Sequence, residues 1–292
     1  MQQSLSKIEF GLCKRLLNLY PNQPWLAKQD QAVLDLAGLC KHVGHQSLLF
    51  ELLERIQYFT QADYAEQTGD MLNSILQSWN PKRSETQFVA TTVDDRPDSA
   101  QAFLYLVEKK LGDLGWTNPK TVNLMGKSVR NLVRYPNVII IDDFAGTGTT
   151  IAKRIREFRK CYDMEAAKQG SNFKYTINVC ILIAMEEAKQ LIESLDIRIH
   201  VQRLFRKGIS GHNEGPTLKQ ARKYMLELES VLNHNYGTKP FPRFGWGEAE
   251  ALVGFEERRT PNSVFPIFWW PELQEGKKRH TVLQRHDDWM LK

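Results

Sequence analysis

Apolar positions in the first eighty residues recur every three or four residues. The segments QDQAVLDLAGLCKHV and QSLLFELLERIQYFT follow this rhythm, and DYAEQTGDMLNSILQSW sets Leu72, Ile75 and Leu76 on one side. That spacing predicts amphipathic helices, about four of them, in a helical lobe over residues 1–80. The pattern changes from Thr86. TQFVATTV predicts a strand, AQAFLYLVEKKLG a helix, and Val138–Ile141 a short β-branched strand buried on both faces. YTINVCILIAM, IRIHVQRLF, EALVGFE and VFPIFWW supply further strand candidates. Strands interleaved with helices predict an α/β domain over residues 81–292, with a parallel or mixed sheet flanked by helices.

The segment VIIIDDFAGTGTT, Val138 to Thr150, carries the chemistry. An apolar strand, two adjacent acids, a small-residue loop and then a helix-like run from Ile151 make an anion site. Unsatisfied N–H groups at the helix start point into such a loop. A nucleotide-binding P-loop would need a lysine before its final Ser/Thr, and Gly148-Thr149-Thr150 has none. A dinucleotide fingerprint would need a third small residue where Ile151 stands.

Asp142-Asp143-Phe144-Ala145-Gly146-Thr147-Gly148-Thr149-Thr150 resembles the ribose-phosphate loop of type I phosphoribosyltransferases. Phe144-Ala145 stands where that family has two aliphatic residues, and Gly146 where Thr, Ser, Ala or Val is common. The resemblance implies that Asp142 and Asp143 hold ribose hydroxyls and serve catalysis. It implies that Gly146, Thr147, Gly148, Thr149 and Thr150 cradle the 5′-phosphate. It also draws attention to the loop Asp94-Asp95-Arg96-Pro97-Asp98-Ser99 after the first strand of the domain. The corresponding family loop contacts pyrophosphate, which makes Arg96 and Ser99 the pyrophosphate-binding candidates; an arginine can offer paired donors to phosphate oxygens.

The stretch Gly245 to Leu273 resembles the carboxyl-terminal signature of phosphoribosyltransferase-like effectors from bacterial conflict systems. The residues that carry it are Gly245-Trp246-Gly247, Leu252-Val253-Gly254-Phe255, Thr260-Pro261-Asn262 and Pro266-Ile267-Phe268-Trp269. Arg258-Arg259 replace the His or Asn that the family has ahead of Thr-Pro-Asn. With the helical front, the likeness covers most of the chain. It implies an anti-phage effector that uses phosphoribosyl pyrophosphate or a nucleotide, with Mg2+ arriving through the substrate diphosphate, and a defence-system protein as partner. A nucleotide-sensing module without turnover and a housekeeping salvage enzyme are the other readings. Glu186 and Glu187, after the strand ending at Met185, reach the same cleft, yet a helix-capping role explains them equally well.

Composition adds boundaries. With 42% apolar and 25% charged residues, the 292-residue chain is globular, of one or two domains. The start lacks the basic and apolar regions of a secretory leader, and no apolar run approaches membrane-spanning length. A cytoplasmic protein with no membrane partner is expected. Cys13, Cys40, Cys161 and Cys180 lack metal-ligand or disulfide spacing and predict reduced thiols. The seven histidines form no recognised ligand pair, which argues against a structural zinc. Net charge is +5, and between Arg198 and Lys223 seven basic residues face Glu214 alone. That stretch reads as a solvated basic face or as a contact for a nucleic-acid-containing assembly.

Overall fold

The computed structural model describes residues 7–92, 99–170, 174–235 and 240–285. Helices α1 (Lys7–Asn22), α2 (Asp30–Gly38) and α3 (Val43–Arg55) lead into strand β1 (Gln57–Phe59). Helix α4 (Gln61–Trp79), strand β2 (Thr86–Ala90), helix α5 (Ser99–Asp113), strand β3 (Lys120–Val122) and helix α6 (Met125–Arg130) follow. Next come β4 (Asn137–Ala145), α7 (Thr149–Gln169), β5 (Thr176–Met185), α8 (Glu186–Glu193) and β6 (Arg198–Phe205). Helix α9 (Gly215–Glu229) and strand β7 (Val253–Phe255) complete the helices and strands among the described residues.

These elements form two compact units, Ala62–Phe205 and Met1–Gln61 with Arg206–Lys292. The change of sequence pattern near residue 80 is therefore not where the units part. Helix α4 groups with the sheet because its apolar side, Tyr64, Met71, Leu72 and Ile75, is buried, with Tyr64 edge-on to Phe103 of α5. The front helices group with the tail because β1 pairs parallel with β7, Gln57 opposite Val253 and Phe59 opposite Phe255.

In the unit of residues 62–205 the sheet order is β3-β2-β4-β5-β6, and every neighbouring pair is parallel. Val89, Val138, Ile140, Val179 and Ile181 face a core that includes Met125, Val129, Ile155, Phe158, Ala188 and Ile192 from α6, α7 and α8. Phe88, Ile139 and Ile141 alternate to the other side, where α5 buries Phe103, Leu104, Val107 and Leu111. Chain direction across the sheet reverses between β2 and β4. In open parallel sheets this is the switch point, and ligands bind beyond the carboxyl ends of the two strands that flank it.

Two sequence expectations change. The predicted strand Val138–Ile141 runs from Asn137 to Ala145, because Phe144 and Ala145 keep pairing with Ile183 and Ala184 of β5. Asp142 and Asp143 therefore lie inside the strand, near its end, and not beyond it. VFPIFWW is no strand: Pro266–Phe268 is a single 3-10 turn, since Pro266 has no N–H to give a ladder. Strands β1 and β3, of three residues each, carry too little alternation to be read. Among the described residues no helix is long and apolar enough to cross a membrane.

The unit that contains α9 holds a buried acid. Glu229 accepts the Phe244 N–H on both oxygens, at 3.2 and 3.1 Å. Burial pushes its pKa up to about 8, with Glu250 adding to the rise and the Phe244 N–H, Arg243 and Arg222 opposing it. The folded state thus holds a proton that the unfolded chain releases near the ordinary carboxylate pKa. Stability from this group is full at low pH and is lost as pH rises toward about 8. Glu229→Gln, which cannot ionise, should flatten the fall in urea midpoint between about pH 5 and 8. A variant with the native slope would show that Glu229 does not titrate there.

Candidate functional site

The carboxyl ends of β2 and β4 bring together the acids and the small-residue loop. Strand alternation sends Asp142 toward the α6–α8 face and Asp143 toward the α4–α5 face. On the first side Thr91 Oγ1, just past β2, donates to Asp142 Oδ2 at 3.0 Å. The Asp143 backbone N–H donates to Asp142 Oδ1 at 3.0 Å, so both oxygens of Asp142 are engaged. On the second side the Tyr64 hydroxyl donates to Asp143 Oδ2 at 3.3 Å. Both carboxyls are buried, at 8% and 9% exposure. Burial holds Asp142 well above the ordinary carboxylate range, and the Asp143 charge and a carboxyl–carboxyl hydrogen bond add to it; Thr91 and the Asp143 N–H pull the other way.

The loop that follows turns the chain into α7, which begins at Thr149, two residues before the expected start. Gly148 caps the helix with φ of 73°, a conformation that costs a side-chain-bearing residue but not glycine. A Cβ there would also stand 2.8 Å from the Ala188 carbonyl oxygen of α8. Thr147 and Thr149 hydroxyls lie 2.8 Å apart, Thr149 and Thr150 are exposed, and the first-turn N–H groups of α7 open toward the same loop. The approach of Ala188 also brings Glu186 and Glu187, the first residues of α8, to this end of the sheet.

The remaining candidates divide. Ser99 is the exposed first residue of α5, on the connection that leaves the carboxyl end of β2. Arg96 lies outside the described residues. Three residues that touch the acids or their support were missed. Arg154 of α7 is buried and donates from Nε to the Thr91 carbonyl at 3.0 Å, and from Nη1 to Glu157 at 2.6 Å. It ties α7 to the turn after β2. Its sequence setting, the run Lys153-Arg154-Ile155-Arg156, looks like a solvated helix face. Tyr64 reads as core, and Thr91 as the end of a strand; the pairing of these side chains with acids fifty or more residues away has no local signal.

The tail signature does structural work. The Trp246 N–H donates to the Asn262 carbonyl at 2.8 Å, and Thr260 gives both its N–H and its hydroxyl to the Gln284 carbonyl. Trp269 and Trp270 are fully buried.

A parallel, doubly wound sheet that carries an acid pair and a small-residue loop at its switch point has the architecture of a phosphoribosyltransferase-like fold. The chain belongs to the PRTase-CE family, whose profile matches residues 42–285. No curated protein matches it. Similar solved structures include orotate phosphoribosyltransferase from Aeropyrum pernix, 20% identical over 49% of this chain and 72% of that one, with a TM-score of 0.28. Hypoxanthine-guanine phosphoribosyltransferase from Schistosoma mansoni in complex with IMP is 15% identical over 50% and 62%, with a TM-score of 0.31. Mycobacterium tuberculosis orotate phosphoribosyltransferase in complex with 5-phospho-alpha-D-ribosyl 1-diphosphate is 13% identical over 59% and 89%, with a TM-score of 0.30.

Proposed function

We propose that the chain binds phosphoribosyl pyrophosphate or a nucleotide at the carboxyl ends of β2 and β4, acts on its anomeric bond, and serves as a cytoplasmic effector of an anti-phage system. The observation that supports this best is the buried Asp142–Asp143 pair set immediately ahead of the Gly148-capped start of α7. Buried carboxyls are costly unless hydroxyls or cations meet them, and ribose hydroxyls supply that match. The first turn of α7, with Gly146, Thr147, Gly148, Thr149 and Thr150, takes the 5′-phosphate through N–H and hydroxyl donors. Ser99, at the start of α5, and Arg96 take the diphosphate.

Cleavage of the bond from C1 to the diphosphate oxygen leaves pyrophosphate with the electron pair and an oxocarbenium-like ribosyl centre. The nucleophile then bonds to C1. Holding the ribose still and balancing charge are the protein's share of this work. Oxygen donors suit a hard Mg2+ ion, which in such sites keeps few protein ligands and rides on phosphates. Asp142, with both oxygens engaged, is fitted for positioning; Asp143 and the ligand's own oxygens would hold the ion. Magnesium there supplies neutralisation of the departing diphosphate.

One observation favours a second reading, ligand sensing that controls a partner without turnover. Asp142 already accepts the Thr91 hydroxyl and the Asp143 N–H, an arrangement suited to binding. The basic segments Arg198–Phe205 and Arg206–Lys223 support a polyanionic partner; if one binds, affinity should fall steeply as salt rises.

Phosphorus NMR of the protein with phosphoribosyl pyrophosphate and Mg2+ tests the proposal. Line broadening with slow release of pyrophosphate is expected for an enzyme, and broadening alone for a sensor. Gly148→Ala should weaken binding at least about tenfold, since a Cβ pressed on Ala188 shifts the loop and strains its backbone. Absence of any interaction with phosphoribosyl pyrophosphate or nucleotides would overturn both readings.

A further inference from the structure

His42 caps helix α3, which opens Val43-Gly44-His45, and this first turn meets the last turns of α9 at Tyr224 and Glu227. The approach is close because Gly44 has no side chain: a Cβ there would stand 2.5 Å from the Tyr224 ring. The two imidazoles lie 3.8 Å apart between ring centroids. His45 Nε2 is 2.8 Å and His42 Nε2 3.6 Å from the same oxygen, Oε2 of Glu227. One ligand atom from each of the three residues falls within a span of 4.8 Å.

We infer that His42, His45 and Glu227 bind a divalent transition-metal ion, zinc in the first instance. This revises the sequence expectation that the histidines form no ligand set, because the pair three residues apart on a helix start needed a carboxylate from α9 to become one. Tetrahedral zinc with bonds of about 2.0 Å places its ligand atoms about 3.3 Å from one another. The observed 2.8 and 3.6 Å bracket that spacing. Two imidazoles and a carboxylate suit zinc, cobalt or nickel over magnesium, which prefers an all-oxygen shell. Three protein ligands leave a fourth position for water.

The surrounding charges are consistent. The C-terminal end of α9 carries partial negative charge and offsets the positive end of α3. Lys223 Nζ is 3.9 Å from the other Glu227 oxygen, but its side chain is 67% exposed and can swing away. The Lys41 N–H points to His45 Nδ1 at 3.3 Å, which keeps the His45 proton on Nε2 without metal. Metal binding moves that proton to Nδ1 and gives up this long bond, and Lys41, an exposed residue, can turn to water. The ion thereby fastens the first turn of α3 to α9.

The full chain, stripped with a chelator and dialysed, should take up one zinc per molecule at neutral pH and gain thermal stability with zinc concentration. Cobalt in place of zinc should give the intense visible absorption of a tetrahedral site. His42→Ala and Glu227→Gln change side chains that are 44% and 39% exposed, so both variants should fold. Each should weaken zinc by more than the roughly 10–100-fold that loss of a mere supporting partner costs. Asp142→Asn with Asp143→Asn should leave zinc affinity unchanged, and excess magnesium should not compete. No uptake by the folded chain, native affinity in both variants, or loss of zinc in the Asp142/Asp143 variant would each overturn the inference.

Discussion

Replacing Asp142 and Asp143 together by asparagine should reduce action on phosphoribosyl pyrophosphate or a nucleotide by more than about a hundredfold, the scale on which lost electrostatic positioning acts in active sites. Asparagine keeps the shape of each side chain and one carbonyl acceptor, so Thr91 and Tyr64 still find an oxygen, while the N–H of residue 143 loses its partner at position 142. It removes the ionised carboxyl beside a ribosyl centre that develops positive charge. It also removes the burial cost and the neighbouring Asp143 charge that raise the Asp142 pKa. The relief offsets the lost hydrogen bond, and the double variant should stay within about 1–2 kcal/mol of the native chain in urea. Loss of chemistry with stability retained separates a functional role from a structural one. Turnover that falls while calorimetric affinity for the ligand stays within a few-fold identifies catalysis. Lost affinity in a protein that never showed turnover identifies sensing. In cells, a defence effector should lose phage protection in this variant at unchanged expression; a folded double variant that binds, turns over and protects like the native chain would falsify the assignment of this site.

Much of the candidate site was readable because its signal is local. Val138–Ile141 announces a buried strand, and the two acids and the Gly/Thr loop follow within nine residues, so strand, acids, loop and helix could be placed from sequence alone. The start of α7 differs by two residues because Thr149 and Thr150 satisfy a helical first turn once Gly148 supplies the left-handed cap. What could not be read is what reaches the acids from elsewhere. Thr91, Tyr64 and Arg154 act through contacts separated by 51, 79 and 63 residues along the chain, and no periodicity encodes such a pairing. The same holds for the grouping of the ends of the chain. Strands β1 and β7 have three residues each, and only their mutual pairing makes either one a strand. For the same reason His42 and His45 look like scattered histidines until α9 brings Glu227 beside them.

The second large effect is expected in the tail. Trp269→Ala should destabilise the protein by about 3–5 kcal/mol, the cost of deleting a large buried aromatic that neighbours cannot collapse to fill. Trp269 is 1% exposed and packs on Trp270 with ring centroids 5.3 Å apart. Its Nε1–H donates to the Val264 carbonyl at 2.9 Å, and the Arg285 guanidinium lies 5.4 Å from its ring. Trp269→Phe keeps much of the volume and loses the hydrogen bond, leaving the Val264 carbonyl without that donor; about 1–3 kcal/mol is the expected cost. The order Ala worse than Phe worse than native in urea midpoints would mark the tryptophan as a packing residue. This outcome bears on the family signature, since it would mean that the tail residues are shared because they fix the core around the 3-10 turn at Pro266–Phe268. If Trp269→Ala were instead nearly neutral in stability, the packing account would fail.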